Sequence, residues 1–245
     1  MSHDAGPSVI ELADVTKVFR SGEVTVEALR GVSFAVESRE FVAIMGPSGS
    51  GKTTLLGILG CLDRPTEGSY ELVGQEMSTL DETRRARIRG QRIGFVFQAY
   101  NLIPRTTAYK NVELPLVYAG VSGDERRGRV LEALASVGLA ERAGHMPSQL
   151  SGGEQQRVGI ARALVVEPSV ILADEPTGNL DSASAEEVLS ILGRLNDEGA
   201  TIVMVTHSSE VAEHASRIIR FADGLVVADV PTERSRAAEP LGAVG

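Results

Sequence analysis

The amino-acid sequence predicts an α/β fold built on a largely parallel sheet, and three observations carry that prediction. Short apolar runs recur at Phe41–Met45, Ile93–Phe97, Val170–Ala173 and Thr201–Val205, the pattern of strands buried on both faces. Helical periodicities at Lys52–Leu59, Glu154–Val166 and Ala183–Asn196 separate them, and strands alternating with helices give parallel sheets covered by helices. The composition is that of a globular protein: 245 residues, 42% hydrophobic and 23% charged, enough for one well-formed core with room for a small inserted subdomain. With tryptophan absent and aromatics at 4%, the core must be aliphatic.

In chain order, residues 1–8 are short and polar and read as a flexible tail. Val9–Val15 and Val24–Val36 follow as strands with partial alternation, then Phe41–Met45, a glycine-rich loop and the helix Lys52–Leu59. From Thr106 to Gln149 the chain is helical in pattern, charged and without buried strands. This marks an inserted helical subdomain, about 106–160, inside a domain that runs from 9 to 230. Residues 231–245 are rich in Ala, Pro, Glu and Arg with no apolar period and read as a second flexible tail.

Charge and cysteine usage narrow the function classes. The formal net charge is -9 with no basic block, whereas proteins that grip a nucleic-acid backbone usually carry a basic stripe; no nucleic acid is expected as a partner. The single Cys61 forms no internal disulfide and fits a reducing compartment. The first residues lack a charged-then-apolar signal pattern. No apolar stretch reaches the ~18 residues that span a bilayer, so the chain is not itself a pore.

Only three lysines are present, Lys17, Lys52 and Lys110, and one of them lies in a loop with its own chemistry. Gly46-Pro47-Ser48-Gly49-Ser50-Gly51-Lys52-Thr53 fits G-x-x-x-x-G-K-[ST] completely, between a buried strand and a helix. Glycines let backbone N–H groups curl around an anion, and the helix that continues through Thr54 offers its positive end to phosphates. Lys52 would pair with the β- and γ-phosphates and the Thr53 hydroxyl would coordinate Mg²⁺. A nucleoside triphosphate is the expected ligand.

A second buried strand, Val170–Ala173, ends in Asp174-Glu175, and strand carboxyl ends are where such sheets present groups to a ligand. Asp174 is placed to hold Mg²⁺, and Glu175 to polarise a water that attacks the γ-phosphate. Two solvated loop carboxylates would look the same in isolation; the complete phosphate loop elsewhere in the chain favours the chemical reading.

Between these motifs lies Leu150-Ser151-Gly152-Gly153-Glu154-Gln155-Gln156-Arg157. Ser151 with Glu154 is a capping box, and Val158, Ala161, Leu164 and Val165 give the following helix an apolar face. A good helix start explains Ser151 and Glu154, but it does not require the glycine pair or Gln155-Gln156-Arg157. The string resembles the signature of ATP-binding cassette (ABC) ATPases and stands in that family's order, between phosphate loop and acid pair. The resemblance spans roughly Ile10 to Asp229. It implies a P-loop NTPase core of the ABC type, with an N-terminal antiparallel β subdomain and the inserted helical subdomain.

The resemblance also assigns residues whose types alone would not. Gln98 matches the glutamine loop that contacts Mg²⁺, and Gly178-Asn179-Leu180-Asp181 matches the loop whose Asp181 faces an opposite subunit. His207 matches the switch histidine at the γ-phosphate, and Phe19 stands where the family stacks an aromatic on adenine. Taken alone, Gln98 and His207 would read as surface or satisfied polar residues. The family implies a head-to-tail homodimer, in which each ATP lies between one phosphate loop and Ser151, Gly152, Gly153, Glu154 and Asp181 of the other chain.

Gly60–Gly68, Ile93–Gln98, Asn101-Leu102-Ile103-Pro104 and Asn111–Leu116 resemble the ATPases of the lipoprotein-releasing and macrolide-exporting transporters, the LolD and MacB group. That resemblance implies an integral membrane permease with a large extracytoplasmic domain as partner, and a peripheral location on the cytoplasmic face of the inner membrane. Lys110 departs from it: relatives commonly carry Glu before the Asn, and the reversed charge falls near the expected docking surface for the permease. Other readings of the same motor are an importer ATPase, the ATPase of a cell-division or signalling complex that transports nothing, and a soluble ABC protein acting on DNA or ribosomes. One cassette, one cysteine and no long heptad run weigh against the last.

Overall fold

The structure is a computed structural model that describes residues 8–22 and 24–238. Strands β1 (Ser8–Ser21), β2 (Val24–Glu37) and β3 (Phe41–Met45) lead into helix α1 (Lys52–Leu59), followed by β4 (Glu67–Leu72) and β5 (Gln75–Glu76). Next come α2 (Glu82–Arg92), β6 (Ile93–Phe97), α3 (Ala108–Tyr118), α4 (Gly123–Ser136), α5 (Gly152–Leu164), β7 (Val170–Asp174) and α6 (Ser182–Asp197). The chain closes with β8 (Ile202–Thr206), α7 (Ser209–Ala212), β9 (Arg217–Ala222), β10 (Leu225–Pro231) and α8 (Glu233–Ala238). It divides into two compact units, 1–79 with 196–245, and 80–195.

In the first unit, β1 pairs antiparallel with β2 on one side and β4 on the other, and β4 pairs with β5. This is the antiparallel β subdomain of the expected fold. A second set of strands is mixed: β8 and β9 lie parallel to β3, and β10 returns antiparallel to β9. All five residues of β3 and of β8 are buried, and full burial of each aliphatic side chain stabilises by ~1.5–3 kcal/mol. The large fully buried side chains Phe41, Ile44, Leu55, Ile58, Leu59 and Phe221 form the aliphatic-rich core that the composition demanded.

The second unit holds the parallel pair β6–β7. Helix α5 packs on β6, and α3, α4 and α5 pack on one another. Helices α3 and α4, two 3-10 turns and the start of α5 fill the stretch 106–160. Thr107 caps α3 by accepting from the Lys110 N–H. Lys110 itself reaches Glu113 at 2.6 Å, and Arg126 holds the same buried carboxylate at 3.1 Å. The reversed charge is therefore compensated inside the unit. The Lys110 hydrogen bond is the chief reason that Glu113 is held below the usual carboxylate range.

The expected C-terminal tail needs correction. Residues 239–245, like 1–7 at the other end, lie outside the described residues, but Ser8 opens β1, Pro231 closes β10 and 233–238 form α8. Polar anchors replace the missing apolar period. The buried Thr232 hydroxyl donates to Ala215 O at 2.6 Å. Arg234 donates to His214 O at 2.6 Å and meets Asp197 at 2.7 Å.

Candidate active site

The loop Gly46–Gly51 joins β3 to α1 in the first unit. Gly51 has φ +104°, and a Cβ there would stand 2.5 Å from Ala28 O, so only glycine lets the chain turn into the helix at this point. Lys52 is buried, and its ammonium donates to Gly46 O at 2.7 Å and to Pro47 O at 2.8 Å. No side chain caps α1, which leaves its first N–H groups available to an anion. The Ser50 hydroxyl is buried with no hydrogen-bond partner. Thr53 is exposed on the first turn and Thr54 half-buried beside it.

Two further expected residues belong to this unit. His207 follows β8 and is exposed; it lines a cleft with Met45, Gly46, Pro47, Arg220, Phe221 and Val227. Its turn is held from both sides. The Thr206 hydroxyl accepts from Ser208 N–H at 3.1 Å, and the Ser208 hydroxyl accepts from Val211 N–H at 3.3 Å. Phe19 pairs with Val26 across β1 and β2 and is 45% exposed, an open aromatic face. The Lys17 ammonium lies 5.0 Å from the Phe19 ring centroid and is fixed by Asp63 at 2.6 Å and Arg64 O at 2.8 Å.

The second unit carries the remaining expected residues. Asp174 ends β7 half-buried, and Glu175 after it has φ +43°, a strained conformation for a non-glycine residue. The turn closes with Gly178 N–H on Glu175 O at 3.0 Å. Gln98, just past β6, donates from Nε2 to Asn179 Oδ1 at 3.3 Å, and Asn179 Nδ2 donates back to Gln98 O at 3.0 Å. A Cβ on Gly178 would fall 2.7 Å from Gln98 Nε2, so a side chain there would displace the Gln98 amide from its present position.

The capping box forms as expected. Ser151 Oγ accepts from Glu154 N–H at 3.2 Å, and Glu154 Oε2 accepts from Ser151 N–H at 2.8 Å. That Ser151 N–H is the chief cause holding Glu154 below the usual carboxylate range, helped by Arg142 at 3.3 Å. Gly152 and Gly153 form the first turn of α5, which begins two residues earlier than its periodicity predicts. Asp181 accepts from Ser184 N–H at 3.0 Å and Ser184 Oγ at 2.8 Å, and the first of these is the main reason its carboxyl is lowered.

Sequence reasoning did not single out Lys17, Tyr100 or Arg162, and it named Gln156 only as part of the signature string, with no role of its own. Tyr100 OH donates to Asn179 O at 3.3 Å, and Arg162 donates to Asn101 O at 2.6 Å and Tyr100 O at 2.9 Å. One signal was present. Gln156 and Arg162 are polar residues in a helix otherwise read through its apolar positions, and Gln156 is fully buried.

Among the described residues no helix is long and apolar enough to cross a membrane. The profile of the ABC transporter family matches residues 29–178, more than half of the chain. A Thermotoga maritima protein described as an uncharacterized ABC transporter ATP-binding protein is 56% identical over 218 residues, 89% of this chain and 93% of its own length. The macrolide export ATP-binding/permease protein MacB of an Azoarcus species is 52% identical over 98% of this chain, which spans only 36% of that protein's length. Among solved structures, the ATP-binding cassette MJ0796, in a dimeric post-hydrolysis state bound to ADP and Pi, superposes with a TM-score of 0.83 at 48% identity. That match covers 91% of this chain and 98% of the other. With the phosphate loop, acid pair and capped signature helix all formed, the chain belongs to the ABC transporter family, as one of its ATPases.

Proposed function

We propose that this ATPase works as a homodimer that closes around two ATP molecules and drives a membrane permease of the macrolide-export or lipoprotein-release type. The observation that carries the reading is the geometry of the phosphate loop. A buried Lys52 ammonium is stationed on two loop carbonyls ahead of a helix whose N-terminus no side chain caps. In this reading the backbone of Gly46, Pro47, Ser48, Gly49, Ser50 and Gly51 cradles the phosphates, with Lys52, Thr53 and Thr54 completing the site. Lys52 neutralises charge at the γ-phosphate, Phe19 stacks on the base, Glu175 accepts a proton from the attacking water, and His207 holds that water at the γ-phosphate.

The donor set fits Mg²⁺. Thr53 and Asp174 offer a hydroxyl and a carboxylate. Gln98 has its amide nitrogen committed to Asn179, which leaves Oε1 to face a cation. All are hard oxygen donors, and no group of three or more His, Cys, Asp or Glu forms a dedicated cage among the described residues, as suits an ion shared with phosphates. Mg²⁺ held by Thr53, Asp174 and Gln98 would supply positive charge to the phosphates.

Each chain holds one phosphate loop and one signature helix, and MJ0796 is a dimeric cassette. These facts support two composite sites, each completed in trans by Ser151, Gly152, Gly153, Glu154 and Asp181 of the second copy. Hydrolysis removes the charge that both chains share, and the dimer opens. The relatives described as ATP-binding/permease proteins support a membrane permease as partner; a large extracytoplasmic domain on that partner and a place at the cytoplasmic face of the inner membrane complete the proposal.

Cross-linking tests the composite site. One chain carries Ser48→Cys and a second carries Ser151→Cys, both with Glu175→Gln to hold the nucleotide. Mixed and mildly oxidised with ATP and Mg²⁺, they are expected to give a covalent dimer that is absent with ADP. Failure to cross-link under any nucleotide condition contradicts the head-to-tail arrangement.

A further inference from the structure

We infer that Gln156 is a positioning residue for hydrolysis: it fixes the backbone that carries Glu175, so that α5 serves both nucleotide sites of the dimer at once. The inference rests on the roles proposed above for Glu175 and for Ser151. Gln156 lies on the buried side of α5 with Ile160 and Ala163, and its own exposure is 0%. Its Nε2 donates to Pro176 O at 2.6 Å, while its Oε1 has no partner. A carbonyl oxygen only accepts, so this contact sets which way the amide points. Burying half an amide unpaired is costly, and an apolar side chain of the same size would avoid that cost. The value of the bond therefore lies in where it holds Pro176.

Pro176 follows Glu175, whose φ of +43° persists only where the surroundings over-determine it. The same helix holds a second strained turn. Arg162 donates to the carbonyls of Tyr100 and Asn101, at φ +59° and +51°, two and three residues after Gln98. One rigid helix of 13 residues thus pins both catalytic loops of its own chain. Its N-terminus is the part assigned to the partner chain's nucleotide. A movement of α5 as it engages that nucleotide carries Pro176 and Glu175 with it, which gives the two sites a direct mechanical link.

Two variants test this. Gln156→Met fills the space without a donor. Gln156→Glu keeps the shape but donates only while its carboxyl is protonated, and burial raises a carboxyl's pKa. The expected result for Gln156→Met is a kcat lower by about tenfold or more, with KM for ATP unchanged. ATP-driven dimerisation of the Gln156→Met/Glu175→Gln double variant is also expected to be unchanged. Relative to the parent enzyme, Gln156→Glu should recover turnover as pH is lowered from about 8 to about 6, while Gln156→Met stays flat. Glu175→Gln assayed alongside separates the two levels: if it keeps near-normal turnover, the underlying reading of Glu175 fails. If Glu175→Gln is inactive, three outcomes overturn the positioning role. These are a normal kcat in Gln156→Met, a parallel loss of dimerisation and thermal stability in it, or a Gln156→Glu turnover that stays as low as that of Gln156→Met across the whole pH range.

Discussion

Gln98 and Asn179 hold each other through two hydrogen bonds, side chain to side chain at 3.3 Å and Asn179 amide to Gln98 backbone at 3.0 Å. The pair joins the loop after β6 to the loop after β7 and turns Gln98 Oε1 away from Asn179. Partly exposed bonds of this kind contribute about 1 kcal/mol each. Asn179→Leu should therefore raise the Mg²⁺ concentration for half-maximal turnover roughly threefold or more, with ATP binding in chelator unchanged. A Mg²⁺ titration of ATPase activity checks this; a curve superimposing on the parent's contradicts it.

The Lys17 ammonium lies over the Phe19 ring, 5.0 Å from its centroid, while Asp63 and Arg64 O anchor it. Lys17→Met removes the cation and the tie, and a cation–π contact at a partly exposed site is worth ~0.5–1 kcal/mol. The expected outcome is a KM for ATP raised about two- to fivefold with kcat unchanged. Steady-state kinetics on both parameters decides it, and a change in kcat alone would refute the assignment.

The buried strands were legible because their apolar runs admit no other placement: Phe41–Met45 and Ile93–Phe97 begin and end where the sequence pattern places them. So does α1, bounded by Gly51 and Gly60. Helix α2 was not legible. Its sequence ETRRARIRGQR buries only Arg85 and is held by the Asp81 cap and by Glu82 against Arg85 and Arg89, so it has no hydrophobic period to read. Strand β9 is held by partners distant in sequence, β3 and, through Arg217, Glu40; β10 pairs with it across a tight Asp223-Gly224 turn, a hairpin signal the sequence reading passed over. In the site, motif residues were readable from spacing, Gln156 among them, but the contacts of Gln156, Arg162 and Lys17 are with carbonyls and a ring that only the fold brings near.

The capping box gives a pH prediction. The carboxyl of Glu154 titrates below its ordinary value of 4.5 in the folded chain, chiefly through the Ser151 N–H. Its stabilisation is therefore complete above about pH 4.5 and is lost as pH falls through the lower folded value. Glu154→Gln keeps an acceptor but does not titrate. Denaturant titrations should show the parent more stable than Glu154→Gln at pH 7, with the gap narrowing as pH falls below 4.5. A gap that does not narrow would show that the charge contributes nothing.

A permease partner predicts co-purification. Glu175→Gln carrying an affinity tag, extracted from gently solubilised membranes with ATP, should bring an integral membrane protein with a large extracytoplasmic domain in about equal or half-equal amount. The same preparation made from Lys52→Ala should yield less of it if docking follows the closed dimer. Recovery of soluble proteins alone would contradict the assignment of a membrane partner.

The most direct test of the central claim is light scattering on Glu175→Gln, with ATP turnover measured on the same sample. The account predicts a mass that doubles with ATP and Mg²⁺, stays at the monomer value with ADP, and is accompanied by loss of nearly all turnover. A monomer in every nucleotide state, or turnover near that of the parent enzyme, would contradict it.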